Sequence, residues 1–89
     1  MIDELRWDDW NVEHIARHHV EYWEVEEVLQ NQPLFIRVRS SRLQMIGQTE
    51  AGRYLAAFAD HQGYGGYYVV SARDATRSER RRFGMTRGN

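Results

Sequence analysis

Leu34-Phe35-Ile36-Arg37-Val38-Arg39, then Ser40-Ser41, then Arg42-Leu43-Gln44-Met45-Ile46-Gly47-Gln48 is the stretch whose reading decides the fold. Its first run alternates, with Leu34, Ile36 and Val38 on one face and Phe35, Arg37 and Arg39 on the other, the period of a strand that has one face in a core and one in water. Two further apolar runs follow, Arg53 to Asp60 and Tyr64 to Ala72, behind the short connections Thr49-Glu50-Ala51-Gly52 and His61-Gln62-Gly63. Connections this short favour consecutive antiparallel hairpins.

Working outward, Ile2 to Trp7 reads as a short strand, and Asp8 or Asp9 can cap a helix that runs to His18 or His19. Val12, Ile15 and Ala16 form its apolar stripe, flanked by a polar stripe of Asn11, His14 and His18 that can face a cleft. A second helix spans about Glu21 to Gln30, with Tyr22, Val25, Val28 and Leu29 on one face, and Pro33 ends it. Trp23 falls among its glutamates, an odd place for a side chain that normally buries most of its surface. Thr76-Arg77-Ser78-Glu79 matches a capping box and opens a short C-terminal helix carrying Arg80, Arg81, Arg82 and Phe83, ahead of a frayed tail from residue 84 to 89. The order β-α-α-β-β-β-β-α predicts an α+β fold: an antiparallel sheet of about four strands from 34 to 72, two N-terminal helices on one face and the Thr76 helix at the edge.

Eighty-nine residues make one domain, 1–89. A chain this short buries only about 60 to 65% of its unfolded surface, so three Trp, five Tyr and three Phe must supply the core. The absence of Cys excludes disulfides, thiolate zinc sites and a cysteine nucleophile, and fits a reducing compartment. The longest apolar run, Tyr54 to Ala59, is too short to cross a bilayer, and the acidic start has no apolar leader; a soluble, cytoplasmic protein is expected. Net charge is −1, but residues 1–36 hold nine acids and two Arg whereas residues 37–89 hold four acids and ten Arg. All twelve cations are Arg. A guanidinium fork suits bidentate phosphate contact, although a GC-rich genome yields the same composition.

His14 and His18 have the i, i+4 spacing of metal ligands but lack the intervening Glu of a zincin helix, so a proton-transfer or substrate role competes with plain solvent-facing histidines. Arg37, Arg39, Arg42, Arg53 and Arg73 sit in or beside the sheet. Guanidiniums there can clamp a phosphate and stabilise a pentavalent transition state, with His as acid or base near neutral pH. The competing reading is a set of rim ion pairs with the N-terminal acids. Arg80 to Arg82 read as a solvated helix face, and Tyr64, Tyr67 and Tyr68 as packing for two of the three, with base stacking as the alternative.

One family resembles the ordered set Trp7-Asp8, Asn11, Glu13-His14-Ile15-Ala16-Arg17-His18, Val25-Glu26-Glu27-Val28-Leu29, Arg42, Ile46-Gly47-Gln48-Thr49, Gly52-Arg53, Val70-Ser71-Ala72-Arg73-Asp74-Ala75-Thr76 and Glu79-Arg80. The chain is similar to the BrnT family of bacterial type II toxins over nearly its whole length. The resemblance implies a RelE-like fold and a ribonuclease that cleaves RNA by activating a ribose 2′-hydroxyl, inhibits translation and needs no metal or cofactor. It also implies a ribbon-helix-helix antitoxin that wraps the toxin and carries the complex to operator DNA; homodimerisation stays open. Its site maps to His14, His18, Arg42, Arg53 and Arg73. Four positions depart from the family pattern: His19 replaces a helix-ending Gly, Glu21 a capping Ser or Thr, Tyr68 an Arg, and Phe83 a Tyr. Those losses make a BrnT-like module of reduced or lost activity, acting through antitoxin or nucleic-acid binding, the alternative function.

Overall fold

The computed structural model describes residues 2–86. Its elements are β1 (Glu4–Arg6), α1 (Asp9–Ala16), α2 (Tyr22–Gln30), β2 (Leu34–Arg39), β3 (Arg42–Gln48), β4 (Tyr54–His61), β5 (Gly66–Asp74) and α3 (Arg77–Thr86). The expected tail splits: Gly84 to Thr86 continue α3, and residues 87–89 lie outside the described residues.

The sheet corrects the expectation in two respects. It has five strands in the order β1-β5-β4-β3-β2, because β1 joins it at the edge and runs parallel to β5, with Leu5 opposite Tyr67. β2 to β5 are the antiparallel hairpins the turns imply. The second difference is the position of α3. Met45, Leu55 and Ala57 pack with Ile15, Val25 and Val28 beneath α1 and α2, while their strand neighbours Ile46 and Ala56 pack with Phe83 of α3. Alternation therefore puts α3 over the opposite face of the sheet instead of at its edge. β2 shows the same result, since Phe35 joins the α1/α2 core and Leu34 and Ile36 join the α3 core; neither face of that strand is simply wet. A register break between Arg37 and Arg39 leaves Val38 exposed.

Asn11 explains how a three-residue parallel strand stays attached. Fully buried, its amide donates to the Arg6 carbonyl of β1 and the Val69 carbonyl of β5, at 3.0 and 2.9 Å, and its oxygen accepts from the Asp8 amide at 2.8 Å. It is thus a clamp inside the fold and not part of a polar stripe facing a cleft. Two glycines permit close approaches. A Cβ at Gly47 would sit 3.1 Å from both Pro33 and Val28, where α2 meets β3, and Gly65, at φ +76°, leaves room for Asp3 where β1 meets β5. No described helix is long and apolar enough to cross a membrane.

Candidate functional site

α3 covers only part of its face of the sheet. Beside it lies an open strip built from alternate residues of three strands: Arg42 and Gln44 of β3, Phe58 and Asp60 of β4, and Tyr68, Ser71 and Arg73 of β5. The face Arg73 occupies is set by a bulge. Phe58 pairs with Ser71 but Ala59 pairs with Val69, so Val70 is the extra residue on β5. Below it Val69 points to the α1/α2 core; above it Ala72 does, and Ser71 and Arg73 turn to the α3 side.

Each arginine on this strip is held by a carboxylate. Arg42 donates from Nε and Nη2 to Asp60 at 2.6 and 2.9 Å, a two-point fork between directly paired residues of β3 and β4. The bonds from Arg42, reinforced by its charge and that of Arg39, hold the Asp60 carboxyl below its ordinary range. Arg73 donates to Glu79 of α3 from Nη1 and Nη2 at 2.7 and 3.0 Å, and lies 5.6 Å from the centre of the Phe58 ring. Glu79 also accepts from Gln44 Nε2 at 2.6 Å and from the Thr76 amide at 2.8 Å. With Arg73 the largest influence, its carboxyl is held down to about 2. Farther along, Tyr68 donates to both carboxylate oxygens of Asp8, at 3.0 and 3.2 Å; partial burial and then this acceptor raise the phenol's pKa. Arginine forks, amide, phenol and flat ring together make a surface suited to an anionic, aromatic-bearing chain.

Of the five residues singled out from sequence, this strip brings together Arg42 and Arg73. Arg53 lies across the sheet, where Nη1 donates to the His19 carbonyl at 2.8 Å and to Glu24 at 3.0 Å and Nε donates to Asp74 at 2.9 Å, stapling the α1–α2 turn to the end of β5. His14 sits on α1, which packs its Ile15 against the face opposite Arg42 and Arg73, and His18 sits in the turn after it, since the helix ends at Ala16 and does not run to His18 or His19. Their rings meet edge to face at 6.3 Å, and Trp10 stacks on His14 at 4.7 Å. Of the N-terminal acids expected as rim partners, Glu24 alone pairs with one of these three arginines among the described residues. Among those residues no three His, Asp or Glu side chains gather as a metal-binding set.

Sequence reasoning missed Asp60, Gln44 and Phe58 as site components. Asp60 could have been found from register, since a symmetric Arg42–Asp60 hairpin sets the pair face to face. Glu79 was visible as a capping residue, but its second duty toward Arg73 depends on where α3 lies.

The same arrangement of strands and helices occurs in a crystal structure at 1.1 Å of the Brucella abortus ribonuclease toxin, BrnT, which aligns with a TM-score of 0.67 and 22% identity over 83% of this chain and 97% of that chain. This chain has the BrnT fold. No family model matches the chain, and no curated protein does. Within the BrnT fold the departures from the family pattern acquire local reasons. His19 takes a left-handed backbone, φ 62°, the conformation for which a Gly is favoured at a helix end. At Glu21 the helix start is served by Glu24, whose side chain accepts from the Glu21 amide at 3.0 Å. Phe83 is buried against Ile46 and Ala56 and sits edge to face with Tyr54, a place where a hydroxyl is not needed for packing.

Proposed function

We propose that the chain is the toxin of a type II toxin–antitoxin pair: a cytoplasmic ribonuclease that cleaves RNA, inhibits translation and is neutralised by a ribbon-helix-helix antitoxin. The observation that carries this reading is the open strip with two preorganised arginine forks, Arg42 and Arg73, on a fold shared with a protein described as a ribonuclease toxin. Two of the five N–H groups of Arg42 go to Asp60, which leaves the others for a phosphate while the carboxylate fixes the plane of the fork.

In the proposed reaction the 2′-oxygen attacks the adjacent phosphorus, the 2′-proton leaves with a base, and the bond to the 5′-oxygen breaks as that oxygen takes a proton from solvent water. Arg42 and Arg73 neutralise the charge that builds on the phosphoryl oxygens. The resemblance assigns the proton steps to His14 and His18, but α1 and the turn after it lie on the other side of the sheet from Arg42 and Arg73. Asp60 stands on the same strip as the arginines. Once a phosphate shares Arg42, the charge that keeps Asp60 ionised is drawn away, its proton affinity rises, and it can accept the 2′-proton.

A second reading, a BrnT-like module without cleavage that works through its antitoxin or through nucleic-acid binding, is favoured by one fact: both strip arginines are already charge-balanced. Expression with and without the neighbouring reading frame, scored for growth arrest and RNA cleavage, separates the two. Arrest with cleavage supports the toxin; antitoxin binding with neither supports the module. The half-exposed Trp23 and Trp10, set among acidic side chains, supply the proposed antitoxin or self-association surface.

A further inference from the structure

α3 has a second flank, away from Arg73. There a cleft of about 470 Å³ is lined by Tyr54, Ala75, Arg77, Arg80 and Arg81. No acid lines it. Arg42, Arg53 and Arg73 each have a carboxylate within 3.0 Å, but Arg77, Arg80 and Arg81 have no ion pair among the described residues. In a chain of net charge −1, three uncompensated guanidiniums on one cleft are a local excess that folding alone does not require. Arg77 and Arg81 are one helical turn apart, with Cβ atoms about 5 to 6 Å from each other, so both forks can reach one phosphate or two neighbouring ones. Arg77 also lies in the first turn of α3, where the helix dipole favours an anion. Between them Arg80 lies over the Tyr54 ring, 4.2 Å from its centre, which holds that guanidinium as a flat plate on which an unpaired base can stack.

We infer that this cleft binds the backbone of single-stranded RNA, as a site separate from the strip that holds Arg42 and Arg73. The inference rests on the ribonuclease reading for the choice of RNA, and deepens it by giving the strand a second hold. A carboxylate-rich protein segment would find the same charge but would make no use of the Arg80–Tyr54 plate, so RNA is the better fit.

The test is binding of a fluorescein-labelled, 2′-O-methylated uridine 12-mer, which cannot be cleaved through its 2′-oxygen, measured by polarisation from 50 to 200 mM salt. Arg77→Ala/Arg81→Ala is compared with wild type and with Arg17→Ala/Arg82→Ala, which loses equal charge at exposed positions outside the cleft. Arg80 is left in place to preserve its stacking on Tyr54. The expected result is at least about tenfold weaker binding at 50 mM salt for the cleft variant alone. The slope of log affinity against log salt should fall by about 1.4, or about 0.7 for each single-strand phosphate that is no longer neutralised. Equal losses in both double variants, no loss in either, or no binding by wild type at 50 mM salt overturns the site. So does loss of binding to a labelled polyglutamate peptide with RNA affinity unchanged, which would assign the cleft to an acidic protein partner. Cleavage of unmodified RNA is scored separately. Binding through the cleft without cleavage by wild type keeps the cleft and removes the ribonuclease; cleavage with unchanged binding in the cleft variant does the reverse.

Discussion

Glu79 receives both terminal nitrogens of Arg73, at 2.7 and 3.0 Å, and with the same two oxygens accepts from the amide that opens α3 and from Gln44 on the sheet. One carboxylate thus completes the capping box, anchors α3 over the sheet and aligns the arginine proposed to meet phosphate.

That anchor makes stability depend on acid. The Glu79 carboxyl is depressed from 4.5 to about 2 in the folded protein, so its contribution is fully present above the unfolded value and is lost as pH falls from about 4.5 toward 2. Urea denaturation should show a loss on the order of 2 kcal/mol across that window, in addition to what other carboxylates contribute. Glu79→Gln should already be less stable by about 1 to 3 kcal/mol at pH 7 and should show a shallower acid slope. An unchanged acid slope would remove Glu79 from the account.

Asn11 is buried with every polar atom used, so Asn11→Leu should leave the Arg6 and Val69 carbonyls and the Asp8 amide without partners. A cost of about 2 to 4 kcal/mol is expected, with faster amide exchange in β1 and its β5 partner than in β3. A neutral substitution would show that β1 is held by its ladder alone.

The left-handed backbone of His19 predicts the opposite sign. His19→Gly relieves the positive φ, partly offset by the greater freedom of Gly in the unfolded chain, and should stabilise by about 0.5 to 1 kcal/mol in thermal or urea unfolding. Destabilisation would mean that the imidazole makes an interaction worth more than the backbone strain.

Trp23 is half exposed, so Trp23→Ala should leave the monomer's stability within about 0.5 kcal/mol while weakening antitoxin affinity or self-association. A large fall in the thermal midpoint with unaltered assembly would place Trp23 in the core.

Much of the architecture was legible from short-range signals. The Pro33 stop, the alternation in Leu34 to Arg39 and the Thr76–Glu79 box locate α2, β2 and α3 because each depends on neighbours within about four residues. What escaped depends on long-range pairing. Nothing near Glu4 to Arg6 says that the strand runs parallel to β5, and the Val70 bulge that turns Arg73 to the α3 side has no local turn residue to announce it. The histidines show the same limit: i, i+4 spacing puts His14 and His18 together, but which side of the sheet α1 covers is decided by Ile15 and Asn11 meeting β5.

The most direct test compares RNA cleavage by wild type, Arg73→Ala, Arg73→Lys, Arg42→Ala and His14→Ala/His18→Ala, each at matched concentration of folded protein. If the strip holds the scissile phosphate, Arg73→Ala and Arg42→Ala should each lose about 10²- to 10³-fold in rate, Arg73→Lys should not recover it because one ammonium cannot replace a fork, and the double histidine variant should stay within a few-fold of wild type. Wild-type rates in both arginine-to-alanine variants, with activity lost in the histidine pair, would contradict the account and move the site to α1.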